Sequence, residues 1–403
     1  MILSNKTRAI CIILVSCLVF NLAGCWSRNE LTELAIVSGM GIDLVDNEYI
    51  LTVQVLNPGE IAGSSLSSRL PITSYESKGR SIFEAIRKLS KQAAKRLYFA
   101  HLRLVVISED AAKTGIGRML ELMSRDHEFR TDFYPVIAKG EKASKTLKIL
   151  TAIEKNPANK IFTTLDVSHS YWAATLGTNL DDIISEMTLH GDNAVLAGIL
   201  LEGNPEIGNR LDNVEMIQSA ASINIDHLAI FKGDKLIGWL NEDESKGHNY
   251  LTDNVDSTVV VVDWKDGTIT FEVRDTKSMV KATIKDNEPQ ILVTLSTEVN
   301  VGEVQAKVDL LNEETIKELE EEISRNQKEK IMGAIEKAKE MQSDIFGFGE
   351  LIHRKDPKLW KSIKENWNEE GFVNVDVELE ATTSIRRLGT TNEPFLNEIQ
   401  GGS

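Results

Sequence analysis

Hydrophobic and polar positions follow two different periods along the chain, and the changes between them predict its strands and helices. Apolar-rich runs at residues 34–43 and 49–56 predict two strands, joined by a turn at Asp46-Asn47. A helix is predicted from Ser81, because Glu84 follows it at the spacing of a capping box. Its apolar positions recur at steps of three and four residues and are Ile82, Phe83, Ile86, Leu89, Ala93 and Leu97.

The same mixture of elements continues through the first third of the chain. Strands predicted at residues 102–107 and 133–138 alternate with helices predicted at residues 109–124 and 141–153. This order is typical of folds in which helices pack on a mixed sheet. The pair Asn156-Pro157 then interrupts the pattern, so we place a domain boundary nearby.

The middle third is richer in strand patterns. A helix is predicted within residues 171–187, and a strand at residues 194–200. Gly233-Asp234 and Asp266-Gly267 each stand between two apolar runs, and such turn residues predict two β-hairpins. Two or three further strands are predicted between residues 279 and 301.

The last third contains one long helical pattern at residues 312–346. Its apolar positions are Ile316, Leu319, Ile323, Ile331, Ile335, Ala338 and Ile345. The other positions are rich in Glu and Lys, and the apolar stripe slips at Gln327. This pattern favours a solvated helix lying on the sheet of its own domain over a coiled-coil partner. Residues 372–379 (FVNVDVEL) alternate strictly and predict a closing strand.

Together the elements predict an α+β fold (mixed α/β) of three successive domains, each with a mixed sheet and packed helices. The predicted segments are a lipoprotein signal peptide at residues 1–24, an N-terminal domain at 25–153, a strand-rich middle domain at 154–275, a C-terminal domain at 276–395 and a tail at 396–403.

The first residues are typical of a secretory signal. Lys6 and Arg8 precede an apolar run at residues 9–20, which is shorter than the ~20 residues that span a bilayer. The run is followed by Leu22-Ala23-Gly24-Cys25, which resembles a bacterial lipobox. That resemblance implies cleavage before Cys25 and its modification with S-diacylglycerol and an N-acyl group. The alternative is an uncleaved anchor or an ordinary signal peptide.

Charge and cysteine usage exclude several classes of function. The net charge is −16 and becomes two units more negative without Lys6 and Arg8, so nucleic-acid binding is not expected.

Cys11 and Cys17 would leave with the signal peptide, and Cys25 would be blocked by lipid. We therefore expect neither an intramolecular disulfide nor a cysteine metal site, and the lipid is the predicted source of membrane affinity.

Catalytic motifs are missing from the sequence. It contains no His-Glu-x-x-His, no phosphate-binding loop of the Walker type and no Gly-x-Ser-x-Gly. The glycines at 39 and 41 favour close strand packing or a bulge, and His101 favours a structural role over that of a base. Asp181-Asp182 are interpreted as charges at a helix start. The sequence therefore predicts no enzyme activity, no metal and no cofactor.

One cluster is not explained by periodicity. Two glycines flank Phe348, and Glu350, His353 and Arg354 follow closely. Glu350 is a candidate cap for the next helix, and these three charged residues are candidate partner contacts. The favoured alternative is a helix–helix junction sealed by the aromatic side chains of Trp360 and Trp367.

Segments across the whole chain resemble one family. They are CWSRNEL from Cys25, LAIVSGMGID from Leu34, His101-Leu102-Arg103, RTDF from Arg130, Ala138-Lys139-Gly140, LAIF from Leu228, Gly238-Trp239-Leu240, Phe348-Gly349-Glu350, His353-Arg354, Trp360, Trp367 and IRRLG from Ile385. In this order they resemble the Ger(x)C proteins, the lipoprotein C subunits of germinant receptors in endospore-forming bacteria. Ser27 stands where many relatives have Asp.

This resemblance implies three mixed α/β domains and a non-catalytic role in nutrient-triggered spore germination. It also implies two polytopic membrane subunits as partners and a place on the extracytoplasmic face of the inner spore membrane. Only Cys25 is carried over as a functional residue. The alternatives are a solute-binding lipoprotein of a transporter, which needs two lobes around a cleft, and a cell-wall hydrolase, which needs paired carboxylates or a metal site.

Overall fold

The fold is described from a computed structural model, which covers residues 33–58, 60 and 70–387. Cys25 and the predicted tail at 396–403 lie outside the described residues.

Nine strands among these residues form one mixed sheet. They are β1 (Leu34–Val45), β2 (Glu48–Leu56), β3 (Ile72–Gly79), β4 (Arg96–Tyr98), β5 (Leu104–Ser108), β6 (Tyr134–Ala138), β7 (Val195–Gly203), β8 (Ala221–Lys232) and β9 (Lys235–Trp239). The order is β3-β2-β1-β5-β6-β7-β8-β9, and β4 pairs with the start of β1. Strands β1, β5, β6 and β7 are parallel, and antiparallel pairs complete both sides.

Helices cover both faces of this first sheet. They are α1 (Ile82–Leu89), α2 (Glu109–Thr114), α3 (Gly117–Arg125), α4 (Ala143–Thr146), α5 (Pro157–Trp172), α6 (Leu180–Thr188), α7 (Pro205–Gly208) and α8 (Asp212–Glu215). Successive residues of a strand point to opposite faces, so Val105 packs with α1, α2, α3 and α6, whereas Leu104 packs with α4 and α5. The central strands are therefore buried on both sides.

Local turn chemistry is where the predictions and the structure agree best. Asp46 and Asn47 have φ of 52° and 60°, as a tight hairpin turn requires, and they join β1 to β2. Ser81 caps α1 by accepting a hydrogen bond from the N–H of Glu84. Gly39 stands at a bulge in the pairing of β1 with β2, as expected. A Cβ there would lie 2.8 Å from Cβ of Ala158 on α5, so its close packing is against a helix and not between strands.

Several predicted helices are wrong in extent. The helix predicted at 109–124 is two helices, because Gly115 has φ of 129° between them. The helix predicted at 141–153 is a single turn, and the N–H of Leu150 bonds instead to the carbonyl of Gly208 on α7. The predicted apolar face of α1 extends too far, since Leu97 lies in β4. The helix predicted within residues 171–187 is interrupted, because Ala173, with φ of 55°, ends α5 and α6 begins only at Leu180.

A second, four-stranded sheet forms the rest of the structure. Its strands are β10 (Thr258–Trp264), β11 (Gly267–Lys285), β12 (Glu288–Val304) and β13 (Asp376–Arg387), in that order. The hairpin predicted near Asp266 joins β10 to β11. A single long hairpin of β11 and β12 replaces the two or three predicted strands, and β13 is parallel to β12.

Besides a short 3-10 helix at Lys364–Asn366, six further helical segments of the described residues accompany this sheet. They are α9 (Glu242–Leu251), α10 (Glu313–Glu340), α11 (Phe348–Lys355), α12 (Pro357–Ile363), a five-residue π-helix (Trp367–Gly371) and α13 (Phe372–Asn374). The predicted long helix is α10, and its apolar face packs on the second sheet. Gln327, where the stripe slips, is fully buried and accepts a 3.4 Å hydrogen bond from Thr383 of β13. The closing strand starts at Asp376 rather than at Phe372, which is buried in α13.

The two sheets share one hydrophobic cluster. It joins Val195, Leu228 and Ile230 of the first sheet to α9, α10 and the second sheet. The mixed α/β fold class is confirmed. The division into three domains is not confirmed. The first sheet takes strands from both sides of the predicted boundary at residue 153, and β11 runs across the predicted boundary at residue 275.

Candidate functional site

The segment between α10 and α11 is organised by one buried carboxylate. Oδ1 of Asp344 accepts hydrogen bonds from the N–H groups of Phe346 and Phe348, at 3.1 and 3.2 Å. Its Oδ2 accepts from the N–H of Gly349 at 2.8 Å and from Nε1 of Trp367 at 2.9 Å. Burial raises the pKa of Asp344 to about 6, while these donors favour the ionised form. Asp344, and not Glu350 as predicted, therefore caps α11.

Aromatic side chains close this segment. Phe348 stacks on Phe346 at 5.3 Å between ring centroids, and Trp360 meets Trp367 edge-on at 5.5 Å. All four side chains are buried. A Cβ at Gly349 would lie 2.8 Å from both tryptophans, so the glycine permits their close approach. The structure agrees with the helix–helix junction interpretation, and we call the six residues Asp344, Phe346, Phe348, Trp360, Trp367 and Phe372 the aromatic junction.

The aromatic junction is tied to the first sheet by polar contacts. The N–H of Asn193 donates to the carbonyl of Asp344 at 2.8 Å, and Oδ1 of Asn193 accepts from the N–H of Gly233 at 2.8 Å. The hydroxyl of Ser343 donates to the carbonyl of Phe231 at 2.6 Å. These bonds hold the C-terminal helices in a fixed position on the first sheet.

A second buried acid, Asp192, interacts with Asp344, and a third, Glu186, interacts with Asp192. Burial and the charge of Asp344 raise the pKa of Asp192 to about 8. Burial and the charge of Asp182 raise the pKa of Glu186 to about 7. Like charges placed close together in a low-dielectric region do not ionise together. Asp192 is therefore mostly neutral at pH 7, which limits the repulsion with Asp344.

The predicted contact residues meet at the exposed side of α11. Glu350 accepts a hydrogen bond from Nε of Arg354 at 2.7 Å and lies 3.4 Å from Nδ1 of His353. Burial opposes ionisation of Glu350, but these bonds lower its pKa below the ordinary value. The ring of His190 meets His353 edge-on at 4.4 Å. We call His190, Glu350, His353 and Arg354 the α11 rim; the side chain of Arg354 is 67% exposed.

The sequence interpretation missed Asp344 and His190. Asp344 had one local signal, an acidic residue placed just before Phe346 and the glycines, where free helix N–H groups are expected. His190 had none, because its partner His353 is distant in sequence. His101 lies 5.8 Å from Tyr98 in a ring contact, and Asp181-Asp182 stand in the first turn of α6 as predicted.

A second polar cluster joins segments that are distant in sequence. Nζ of Lys139 lies 2.8 Å from Oδ2 of Asp226, 3.1 Å from Nδ1 of His227 and 4.9 Å from the ring centre of Trp239. Its positive charge is thus balanced inside the fold. The cluster connects β6, β8 and β9 and is not an open site.

Neither metal ligands nor a membrane-spanning helix occur in the described part of the chain. Across residues 33–58, 60 and 70–387, His, Cys, Asp and Glu form no group of three suited to hold a metal ion. In the same residues no helix has the length and apolar character needed to cross a bilayer.

Comparisons with known proteins agree with this architecture. A family model described as spore germination protein N-terminal domain matches residues 27–200, and one described as spore germination B3/GerAC like, C-terminal, matches residues 226–389. Spore germination protein KC of Bacillus subtilis (strain 168) is 34% identical over 95% of this chain and 96% of its own length. Spore germination protein A3 of the same organism is 24% identical over 96% of this chain and 98% of its own.

A solved structure supports the fold. The crystal structure of the GerBC protein matches with a TM-score of 0.55 and 18% identity, covering 86% of this chain and 96% of that one. The resemblance to Ger(x)C proteins is thereby confirmed. The chain belongs to the GerAC-like family of spore germination proteins.

Proposed function

We propose that this chain acts in spore germination as the lipoprotein C subunit of a nutrient germinant receptor. The observation that carries the proposal is the 34% identity to spore germination protein KC, which extends over 95% of this chain. The role is that of a non-catalytic receptor component. In support, the polar groups of Asp344 and Lys139 are engaged in internal hydrogen bonds and an ion pair, which leaves them occupied in structural contacts.

The proposed attachment to the membrane is through lipid on Cys25. The lipobox-like Leu22-Ala23-Gly24-Cys25 supports it, together with the short apolar run before it. More than one acyl chain is enough for stable residence on a bilayer. The body would then lie on the extracytoplasmic face of the inner spore membrane.

The proposed partners are two polytopic membrane subunits, and the α11 rim is the proposed contact surface. The rim carries an exposed guanidinium, that of Arg354, on a helix that is held in place. Asp344 and the aromatic junction fix the position of α11. A charged group on a rigid support loses little conformational entropy on binding. Its orientation is set by Glu350 in the free protein.

Deletion and co-purification together test this function. Spores that lack the chain are expected to lose the response to at least one nutrient and to regain it with the wild-type gene. Affinity purification of the wild-type chain from detergent-solubilised spore membranes is expected to recover two polytopic proteins. Normal germination of the deletion strain in every nutrient tested would contradict the proposal. A solute-binding role predicts instead that a small solute raises the melting temperature of the purified protein.

A further inference from the structure

Within the part of the chain that the structure describes, strand β13 is the edge of the second sheet. It pairs with β12 on one side, and the sheet order ends with it. Half of the backbone N–H and C=O groups of an edge strand point away from the sheet and are available to another strand. The N–H of Ile385 is one of them, and the carboxylate of Glu320 on α10 accepts its hydrogen bond at 2.8 Å.

A groove runs beside the middle of this strand. It has a volume of about 490 Å³ and lies between α10 and residues 381–383. Its helix side carries Lys317, Arg325 and Lys328 together with Glu320 and Glu321. The groove leaves space next to the backbone of β13, where an added strand would lie.

The charges along β13 change sign from one end to the other. On its exposed face the strand begins with Asp376, Glu378 and Glu380, has Thr382 at its middle, and ends with Arg386. The guanidinium of Arg386 is held on this face by Glu298 of β12, at 2.5 Å. Like charges directly opposite each other weaken a strand pair, and opposite charges strengthen it. A parallel copy in register would therefore be repelled, and an antiparallel copy attracted.

We propose that β13 pairs antiparallel with β13 of a second copy of this chain, about a two-fold axis at Thr382. Counted from Thr382, Glu378 of each copy then faces the segment of the other copy that holds Arg386, at the register shift after Ile385, so the charged pair forms twice. The two four-stranded sheets become one continuous sheet, with α10 of each copy beside the contact. Glu320 has to release the N–H of Ile385 for the strands to pair, so in the single copy its hydrogen bond occupies one of the donors on the edge of the sheet. This self-association goes beyond the proposed receptor role and does not depend on it.

Cysteine cross-linking tests the axis. The N–H of Ile385 points away from β12, and backbone groups alternate in direction along a strand, so those of Thr382 point toward β12. Thr382 would therefore occupy a non-hydrogen-bonded position of the new strand pair. Facing Cα atoms lie ~4.5 Å apart at such positions, and a disulfide fits between them. Under mild oxidation, the full-length chain with Thr382→Cys is expected to form a disulfide-linked dimer. The matched control is Thr294→Cys, which is exposed on the same face of the sheet but lies on the inner strand β12. The chain's own cysteines, at residues 11, 17 and 25, are the same in both variants.

Charge reversal tests the register in the Thr382→Cys background. Glu378→Arg alone and Arg386→Glu alone are each expected to lower the yield of dimer about fivefold or more, since each affects two symmetric pairs. The double variant, Glu378→Arg with Arg386→Glu, is expected to give more dimer than either single variant, because it restores both pairs between the copies while the bond from position 386 to Glu298 stays lost. The proposal is overturned if Thr382→Cys gives no more dimer than Thr294→Cys, if it cross-links to a different protein only, or if the double variant stays as low as the single ones.

Discussion

Nε1 of Trp367 donates a 2.9 Å hydrogen bond to Oδ2 of Asp344, although 23 positions separate the two residues in the sequence. The bond brings the end of α12 and the π-helix back onto the start of α11. Because the same carboxylate also holds three backbone N–H groups, one side chain fixes both the helix and the aromatic layer over it. Hydrogen bonds to a charged group are stronger than those between neutral groups, which suits a position that connects two sheets.

The stability of the protein is expected to fall as the pH rises toward 8. Asp192 has its pKa raised from 3.8 to about 8 in the folded chain, so the folded state holds a proton that the unfolded state has lost. This contribution is complete below about pH 4 and is lost as the pH passes through about 8. Urea melts at pH 5, 6, 7 and 8 measure it. Asp192→Asn is expected to flatten the decline, and an equally steep decline in the variant would contradict the assignment to Asp192.

Phe348→Ala is expected to lower the free energy of unfolding by roughly 3 kcal/mol or more. The ring is fully buried between Phe346 and Phe372, so its removal leaves a cavity in the aromatic junction. The control is Phe83→Ala, a phenylalanine that is 42% exposed, for which about 1 kcal/mol or less is expected. Urea melts of both variants give the comparison. Equal small losses would show that the junction does not support the fold.

Arg354→Glu is expected to leave folding almost unchanged and to weaken assembly with the membrane subunits. Arg354 is exposed, and His353 stays beside Glu350 when the arginine is replaced, so the lost bond is expected to cost about 1 kcal/mol. Lys355→Glu is the matched control, since it changes the charge equally at the next exposed position of α11. Co-purification from spore membranes is the measurement. If both variants recover the membrane subunits as well as the wild type does, the α11 rim is not the contact.

Cys25→Ala is expected to release a folded body from the membrane. The lipid on this cysteine is the proposed anchor, and the described residues contain no helix able to span a bilayer. Cys17→Ala, a cysteine within the predicted signal peptide, should leave the attachment intact. Sedimentation of membranes from cells without the partner subunits distinguishes the two. Persistent sedimentation of the Cys25→Ala protein would show that another anchor exists.

Predictions from the sequence succeeded where the cause is local. Asp46-Asn47, Gly233-Asp234 and the Ser81 cap depend on residues within a few positions of each other, and the structure has all three. The spacing of apolar residues likewise predicted α10 and its buried face.

Long-range contacts explain what the sequence patterns did not predict. The pairing of β6 with β7 joins strands on both sides of the expected boundary, and no local pattern encodes which strands become neighbours. The helix expected at 141–153 does not extend to its end, because the N–H of Leu150 bonds to the carbonyl of Gly208 instead of to its own segment. In the sequence Gln327 interrupts an apolar stripe. In the structure it accepts a hydrogen bond from Thr383, which lies 56 residues later in the chain.

The position of β1 limits how far the body can stand from its proposed anchor. Leu34, where β1 begins, follows Cys25 by nine residues. A fully extended chain advances at most ~3.3–3.6 Å per residue, so the strand starts within about 32 Å of the thiol. Because β1 lies between β2 and β5, the tether leads to the interior of the first sheet and not to a loose arm. With the proposed lipid on Cys25, the start of β1 therefore lies close to the bilayer surface, and the rest of the body extends from this fixed point.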